Sequence, residues 1–272
     1  MANDTVEGVR RERFVDLLSE LSGSVLVTTS TSEDVAGLVA SLESGTAGDV
    51  RVLVDEAAAK AVRDSFLLSS RIVDLIDDDV LAVRVDDPDP RFSMLLVGED
   101  EIRSLASIGG DAVTELRGDD DASVERLREA FEDRWADAEP FSVRTPAYSR
   151  MLASLDERLG GSMRADVEQV FEEATGVRGE AGTIQPVRLS LLMGAKNEVQ
   201  FYELGLWGES EGVASRAKFS REKQTLEEQG LIDTEKVPTD VGRPRQRLVL
   251  TERLEGMDPL ELLSTVRSVL PD

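Results

Sequence analysis

The chain has 272 residues, 31 basic against 55 acidic side chains, a net charge of -24, 40% hydrophobic residues, and neither cysteine nor histidine. Without cysteine there is no disulfide or thiolate metal site, and without histidine the commonest general base, every His-based triad and every His metal ligand are excluded. Periodic hydrophobic spacing excludes an acidic disordered chain, no apolar run reaches the ~20 residues of a membrane span, and Met1-Ala2-Asn3-Asp4 lacks the features of a signal peptide, so a cytoplasmic protein of two domains is expected.

Residues 7–139 alternate short apolar runs with amphipathic helices, which predicts an α/β sandwich over 1–140. Val25-Leu26-Val27-Thr28-Thr29 and Val50-Arg51-Val52-Leu53-Val54 read as buried parallel strands, with helices at 33–43 and 56–68. Segments 80–85 and 92–97 continue the sheet across the turn-rich Asp86-Asp87-Pro88-Asp89-Pro90, and a helix over 124–138 closes the domain with Leu127, Phe131 and Trp135 on one face.

Thr28, Thr29, Ser30, Thr31 and Ser32 leave the carboxyl end of the first strand and open a helix, where hydroxyls and free N–H groups suit a phosphate or sugar. A second reading makes Ser30 or Ser32 a helix cap, with Glu33 and Asp34 complementing the dipole. Arg71, Arg91 and Ser107-Ile108-Gly109-Gly110 are other strand-end groups able to face an anion. Asp86/Asp87 and Asp119/Asp120/Asp121 read as solvated loop charges, and there is no Gly-Lys-Ser/Thr phosphate loop, so no catalysis, cofactor or metal is expected.

Residues 140–146 read as a strap, and 141–180 as a helical linker whose two helices (148–159 and 163–174) couple the domains or form a dimer seam. A winged helix-turn-helix is predicted for 181–254. Val187, Leu191 and Ala195 mark one helical stripe, and Val199, Tyr202 and Leu206 a second. In the third helix Ser215 is placed as N-cap, Phe219 and Leu226 define the buried side, and Ala217, Ser220, Arg221 and Gln224 the outer one. Arg forks onto guanine, Gln pairs with adenine and a small residue permits close approach, which suits a major groove. Arg216, Lys218 and Lys223 flank that face as phosphate contacts, Lys223 lying between the buried and exposed sides. Gly230 stops the helix, and strands at 233–237 and 247–251 enclose a wing bearing Arg243, Arg245 and Arg247 for backbone or minor groove. In 255–272, Asp258-Pro259 begins a last helix that either pairs two subunits or packs on its own domain.

Charge distribution agrees with a double-stranded DNA partner despite the overall acidity. Residues 186–253 hold 11 basic and 11 acidic side chains, whereas 1–185 carry about -21. Four of the five lysines fall in the neutral segment. Abundant carboxylates and scarce lysine suit a surface in concentrated salt, where self-repulsion is screened.

VASRAKFSREKQTLEEQGLID with VPTDVGRPRQRLVL resembles the carboxy-terminal DNA-binding domain of haloarchaeal TbsP-type transcriptional regulators, siblings of the sugar-responsive TrmB regulators. FSMLLVGEDEIRSL and VERLREAFEDRWADAEPF are similar to the phospholipase-D-like sensor domain of TrmB regulators. The resemblance implies a regulator of genes of sugar breakdown and synthesis, glycolytic and gluconeogenic, with a sugar or sugar-phosphate effector; taken with the residues above, the expectation is a homodimeric transcription factor whose first domain senses a sugar phosphate. Phospholipase-D enzymes need a His-Lys-Asp motif, so without His the fold is left as a binding scaffold. The domain order is the reverse of TrmB, so effector contacts do not transfer residue by residue. The alternative is a winged-helix protein-interaction scaffold without sequence-specific DNA binding.

Overall fold

The structure, a computed structural model, describes residues 16–18, 20–21, 23–45, 49–86, 94–107, 113–176, 185–238 and 245–270. It divides into two compact units, Met1–Val143 and Arg144–Asp272.

The first unit is an α/β domain with a mixed sheet. Strands β1 (Val25–Thr29), β2 (Val50–Val54) and β3 (Leu81–Val85) run parallel, pairing Val25 with Val50 and Val50 with Leu81. Antiparallel to β1 lies β4 (Met94–Val97), followed by β5 (Ile102–Ser107) and β6 (Val113–Gly118), while β7 (Glu139–Pro140) adds two residues beside β3. The order is β6-β5-β4-β1-β2-β3-β7. Alternation assigns the faces: Val25, Val27, Val50, Val52 and Val54 pack in one core with α1 (Ser32–Glu43), α2 (Glu56–Asp64) and α3 (Phe66–Asp77). Leu26, Leu53 and Val97 instead meet Val124 and Phe131 of α4 (Asp121–Asp137). With both faces covered, the central strands read as unbroken apolar runs, and each buried Val or Leu contributes roughly 1.5–3 kcal/mol.

Two local features depart from the expected elements. The helix read over 56–68 is two helices, because Ser65 turns extended (φ -91, ψ 104) and its N–H closes onto the Ala61 and Val62 carbonyls. Ser69 Oγ then donates to Val62 O at 2.6 Å, and α3 continues to Asp77. The β5–β6 hairpin is foreshadowed only by the strand end expected at Ser107, since Arg103, Glu115 and Arg117 interrupt its apolar alternation.

The second unit is helical. Its α5 (Tyr148–Leu159) and α6 (Gly161–Gly176), expected as a linker, pack against the rest of the unit, burying Met151, Leu152, Leu155, Val167, Val170 and Phe171. Then come α7 (Pro186–Lys196), α8 (Phe201–Ser210), α9 (Arg216–Glu228), the antiparallel pair β8 (Ile232–Val237) and β9 (Arg245–Leu250), and α10 (Pro259–Val269). Trp207 is buried and donates from Nε1 to Ser154 Oγ at 2.9 Å, tying α8 to α5. Val199, expected in a helical stripe, lies before α8. Glu198 takes φ +54 and breaks the helix, so Val199 O receives Leu248 N–H at 3.0 Å and Gln200 bridges Arg247. Asp258 and Glu261 form a reciprocal cap on α10, and Leu262 and Val266 are fully buried against α6 and α7. The last helix thus packs on its own unit.

Candidate nucleic-acid interface

The seat of α9 begins with its cap. Ser215 Oγ accepts Lys218 N–H at 3.3 Å, and Phe219 and Leu226, seven apart, are both fully buried. Phe219 presses onto α8 where a side chain would not fit: a Cβ on Gly208 would lie 2.2 Å from the ring's Cε2. At the other end Gly230 takes φ +65 and turns the chain into β8.

With that side sealed, Ala217, Ser220, Arg221 and Gln224 are all exposed on the outer face. Among the described residues Lys218 and Arg221 have no carboxylate partner, while the Gln224 amide donates to Glu228 Oε1 at 2.9 Å. Arg216 is exposed but paired through Nε with Glu209 at 2.8 Å. Lys223, expected as a flanking phosphate contact, is engaged within its own unit. Its side chain is only 12% exposed, its Nζ lies 2.6 Å from Glu227 Oε1 and 5.4 Å from the centre of the Phe201 ring, so it is spent inside the domain.

On the wing, Arg245 Nη1 donates to Glu203 Oε1 at 2.9 Å and Gln200 Oε1 at 3.0 Å, with the guanidinium 5.8 Å from the Tyr202 ring centre. Arg247 is gripped by Glu198 at 2.8 Å and Glu235 at 2.6 Å, and these carboxylates raise its pKa above the ordinary guanidinium value, the Glu235 hydrogen bond most. Arg243 lies outside the described residues. A groove of about 1090 Å³ runs between α8, the start of α9 and the wing, lined in part by Tyr202, Arg216, Ser220, Lys236 and Arg245. Two of these were absent from the expected contacts. Tyr202, expected in an apolar helical stripe, is 52% exposed because Leu204 and Trp207 rather than Tyr202 take the buried side of α8, and Lys236 is exposed on β8 without a carboxylate partner among the described residues.

The effector residues come together only in part. Thr29 is buried and donates to Asp34 Oδ2 at 2.8 Å, while Thr31, rather than Ser30 or Ser32, caps α1 by accepting Asp34 N–H at 3.2 Å. Thr28, Ser30 and Ser32 remain half-buried at the carboxyl end of the sheet. Arg71 lies within α3, not at a strand end, and pairs with Glu43 at 2.8 Å. Glu43 ends α1 whereas Ser32 begins it, roughly 16 Å away along the axis. Arg91 and the Ile108-Gly109-Gly110 stretch lie outside the described residues. Among the described residues no helix is long and apolar enough to cross a membrane, and no acidic cluster is placed to hold a metal.

No curated protein matches the chain closely. Family comparison is decisive instead. Residues 147–267 match the C-terminal HTH domain of TbsP-like transcriptional regulators, and residues 3–146 match the N-terminal domain of the same regulators. A capped helix seated by Phe219, a Gly230 stop, a two-stranded wing and these two adjoining matches lead to one conclusion: the chain belongs to the TbsP-like transcriptional regulators, and is a DNA-binding protein of the helix-turn-helix kind.

Proposed function

We propose that this regulator reads double-stranded promoter DNA with the outer face of α9, Ser220, Arg221 and Gln224 at base edges and Arg216 and Lys218 at phosphates, while Arg243, Arg245 and Arg247 of the wing hold backbone or minor groove. The observation that carries this reading is the exposed α9 face, where Lys218 and Arg221 have no carboxylate partner among the described residues while the neighbouring Arg216, Arg245 and Arg247 are each paired with one. Lys223 acts as a positioning residue through Glu227.

In the same proposal two copies act as a homodimer on sugar-metabolism promoters in a salt-rich cytoplasm. The first unit is a phospholipase-D-like sandwich kept as a non-catalytic scaffold, and it senses a sugar phosphate. The hydroxyls of Thr28, Ser30 and Ser32 beside the amino end of α1 support an anionic ligand there, and the resemblance to sugar-responsive regulators supports its class. Effector and DNA then change each other's affinity reciprocally.

The test is an anisotropy titration in high KCl against promoter fragments of central sugar-metabolism genes, with and without sugar phosphates, for the wild type and Arg221→Ala. Selective binding that one sugar phosphate shifts, and a loss in Arg221→Ala concentrated on the selected site by about 1–3 kcal/mol, is the expected result. Binding without sequence preference in every condition would favour a protein-interaction module.

A further inference from the structure

The two edges of the seven-stranded sheet are built differently. One edge, β7, is two residues long and contains Pro140, which cannot donate to a neighbouring strand. At the other, β6 offers six residues without proline, and no described residue pairs with its outer side. Leu116, in the middle of that edge, is 56% exposed, more than any other large hydrophobic side chain among the described residues. On either side of it stand Glu115 and Arg117, one acidic and one basic.

We infer that β6 pairs antiparallel with β6 of a second copy of this chain, about a two-fold axis at Leu116. In that register Leu116 lies opposite the partner's Leu116, Glu115 opposite the partner's Arg117, and Arg117 opposite the partner's Glu115. Opposite charges at directly facing positions stabilise a strand pair, and an antiparallel neighbour satisfies the open backbone groups. The edge is self-complementary in one further respect: the charges are held in place from within. Arg103 is buried, donates to Glu101 and Glu20, and lies 3.3 Å from Glu115 Oε1, while Arg117 Nη2 lies 2.6 Å from Glu101 Oε2. A shift by one residue would place Glu115 against Leu116 and lose both ion pairs.

A six-residue edge is a small interface, so the pairing is concentration-dependent and is reinforced when two winged units hold adjacent half-sites on DNA. The inference deepens the homodimer proposed above. Because its test contains no DNA, its failure leaves base reading by α9 untouched, and failure of DNA binding leaves the edge untouched.

The chain lacks cysteine, so a single introduced thiol reports on register. Opposed Cα atoms in antiparallel strands lie about 4.5–5.5 Å apart, within the range a disulfide spans, whereas residues at position 114 of the two copies would stand about 13 Å apart. Mild oxidation of full-length Leu116→Cys in high KCl should yield a disulfide-linked dimer, and Thr114→Cys should stay monomeric. Cross-linking in neither variant, or equally in both, overturns the inference. Sedimentation gives the second arm: Glu115→Lys and Arg117→Glu, each folded by circular dichroism, should each dimerise at least tenfold more weakly than wild type, and their mixture should recover wild-type association. Wild-type dimerisation by either variant alone also overturns it.

Discussion

On α9, Lys218 and Arg221 extend without a carboxylate partner among the described residues, whereas on the wing Arg245 is held by Glu203 and Gln200, and Arg247 by Glu198 and Glu235. Both regions are basic by sequence, but Arg245 and Arg247 of the wing are already engaged, whereas Lys218 and Arg221 of the helix, like Lys236 on β8, need break no carboxylate pair among the described residues to meet a phosphate or a base. Each wing pair is exposed and screened by solvent and salt, so exchange of a carboxylate for a phosphate is feasible yet must first break a pair. In a chain of net charge -24, the number of arginines in a segment is therefore a poor measure of its attraction for DNA. Which cations the protein's own acids have already engaged matters more.

The strongest way to break the comparison is to unseat the helix. Phe219→Ala should cost the second unit about 3–5 kcal/mol, read by denaturant melting, and Gly208→Ala should cost about 1–3 kcal/mol by driving a methyl group into the same ring. An unchanged melt in both would mean that α9 is not held by this contact. Next in size, Arg221→Ala should reduce affinity for a preferred site more than Arg245→Ala, while Arg245→Ala should weaken all sequences alike and flatten the salt dependence by up to about one phosphate contact. Equal effects would erase the distinction between helix and wing. Freeing a wing cation is a smaller change: Glu198→Gln with Glu235→Gln should strengthen DNA binding several-fold at low salt while the melting temperature stays close to that of the wild type. Unaltered affinity would show that the internal pairing does not restrain Arg247.

The smallest expected effect extends the pairing argument to the first unit. Arg51 forms a bidentate pair with Glu132 and lies 5.6 Å from the centre of the Trp135 ring. The Arg51 hydrogen bond holds the Glu132 carboxyl below its ordinary pKa, and the Ser123 side chain and N–H do the same for Asp120 at the start of α4. Because both folded pKa values are depressed, the stabilisation is fully present above the ordinary carboxylate range and is lost as pH falls through the lowered values. Melting temperature followed down in pH should drop less steeply for Glu132→Gln than for the wild type, by a small margin because Glu132 is half exposed.

The elements that repeat a local rule were legible from the chain alone. Val25–Thr29 and Val50–Val54 declared themselves as buried strands because both faces are covered, and α9 was bounded by Ser215 and Gly230 because a cap and a left-handed stop are properties of single residues. The hairpin β5–β6 was not legible, since Arg103 and the adjoining Glu101 are buried, made tolerable by each other and by Glu20, Glu115 and Arg117. Lys223 and Tyr202 exchanged their expected surroundings for a similar reason. A periodicity puts a side chain on a sector of a helix, but the neighbouring Phe201, Glu227 and Arg245 decide whether that sector faces water.

By itself the sequence determined an α/β half, a winged helical half, the neutral charge of the latter and the side of α9 that turns outward, all of which follow from spacing, caps and composition within a few tens of residues. Tertiary structure alone decided which of the basic residues remain without a partner, that α5, α6 and α10 build onto the winged unit, and that Arg71 stands apart from the hydroxyl-rich strand end. Those outcomes depend on carboxylates and apolar faces distant in sequence meeting at a few ångströms, where a pair's energy depends on separation and exposure rather than on order along the chain.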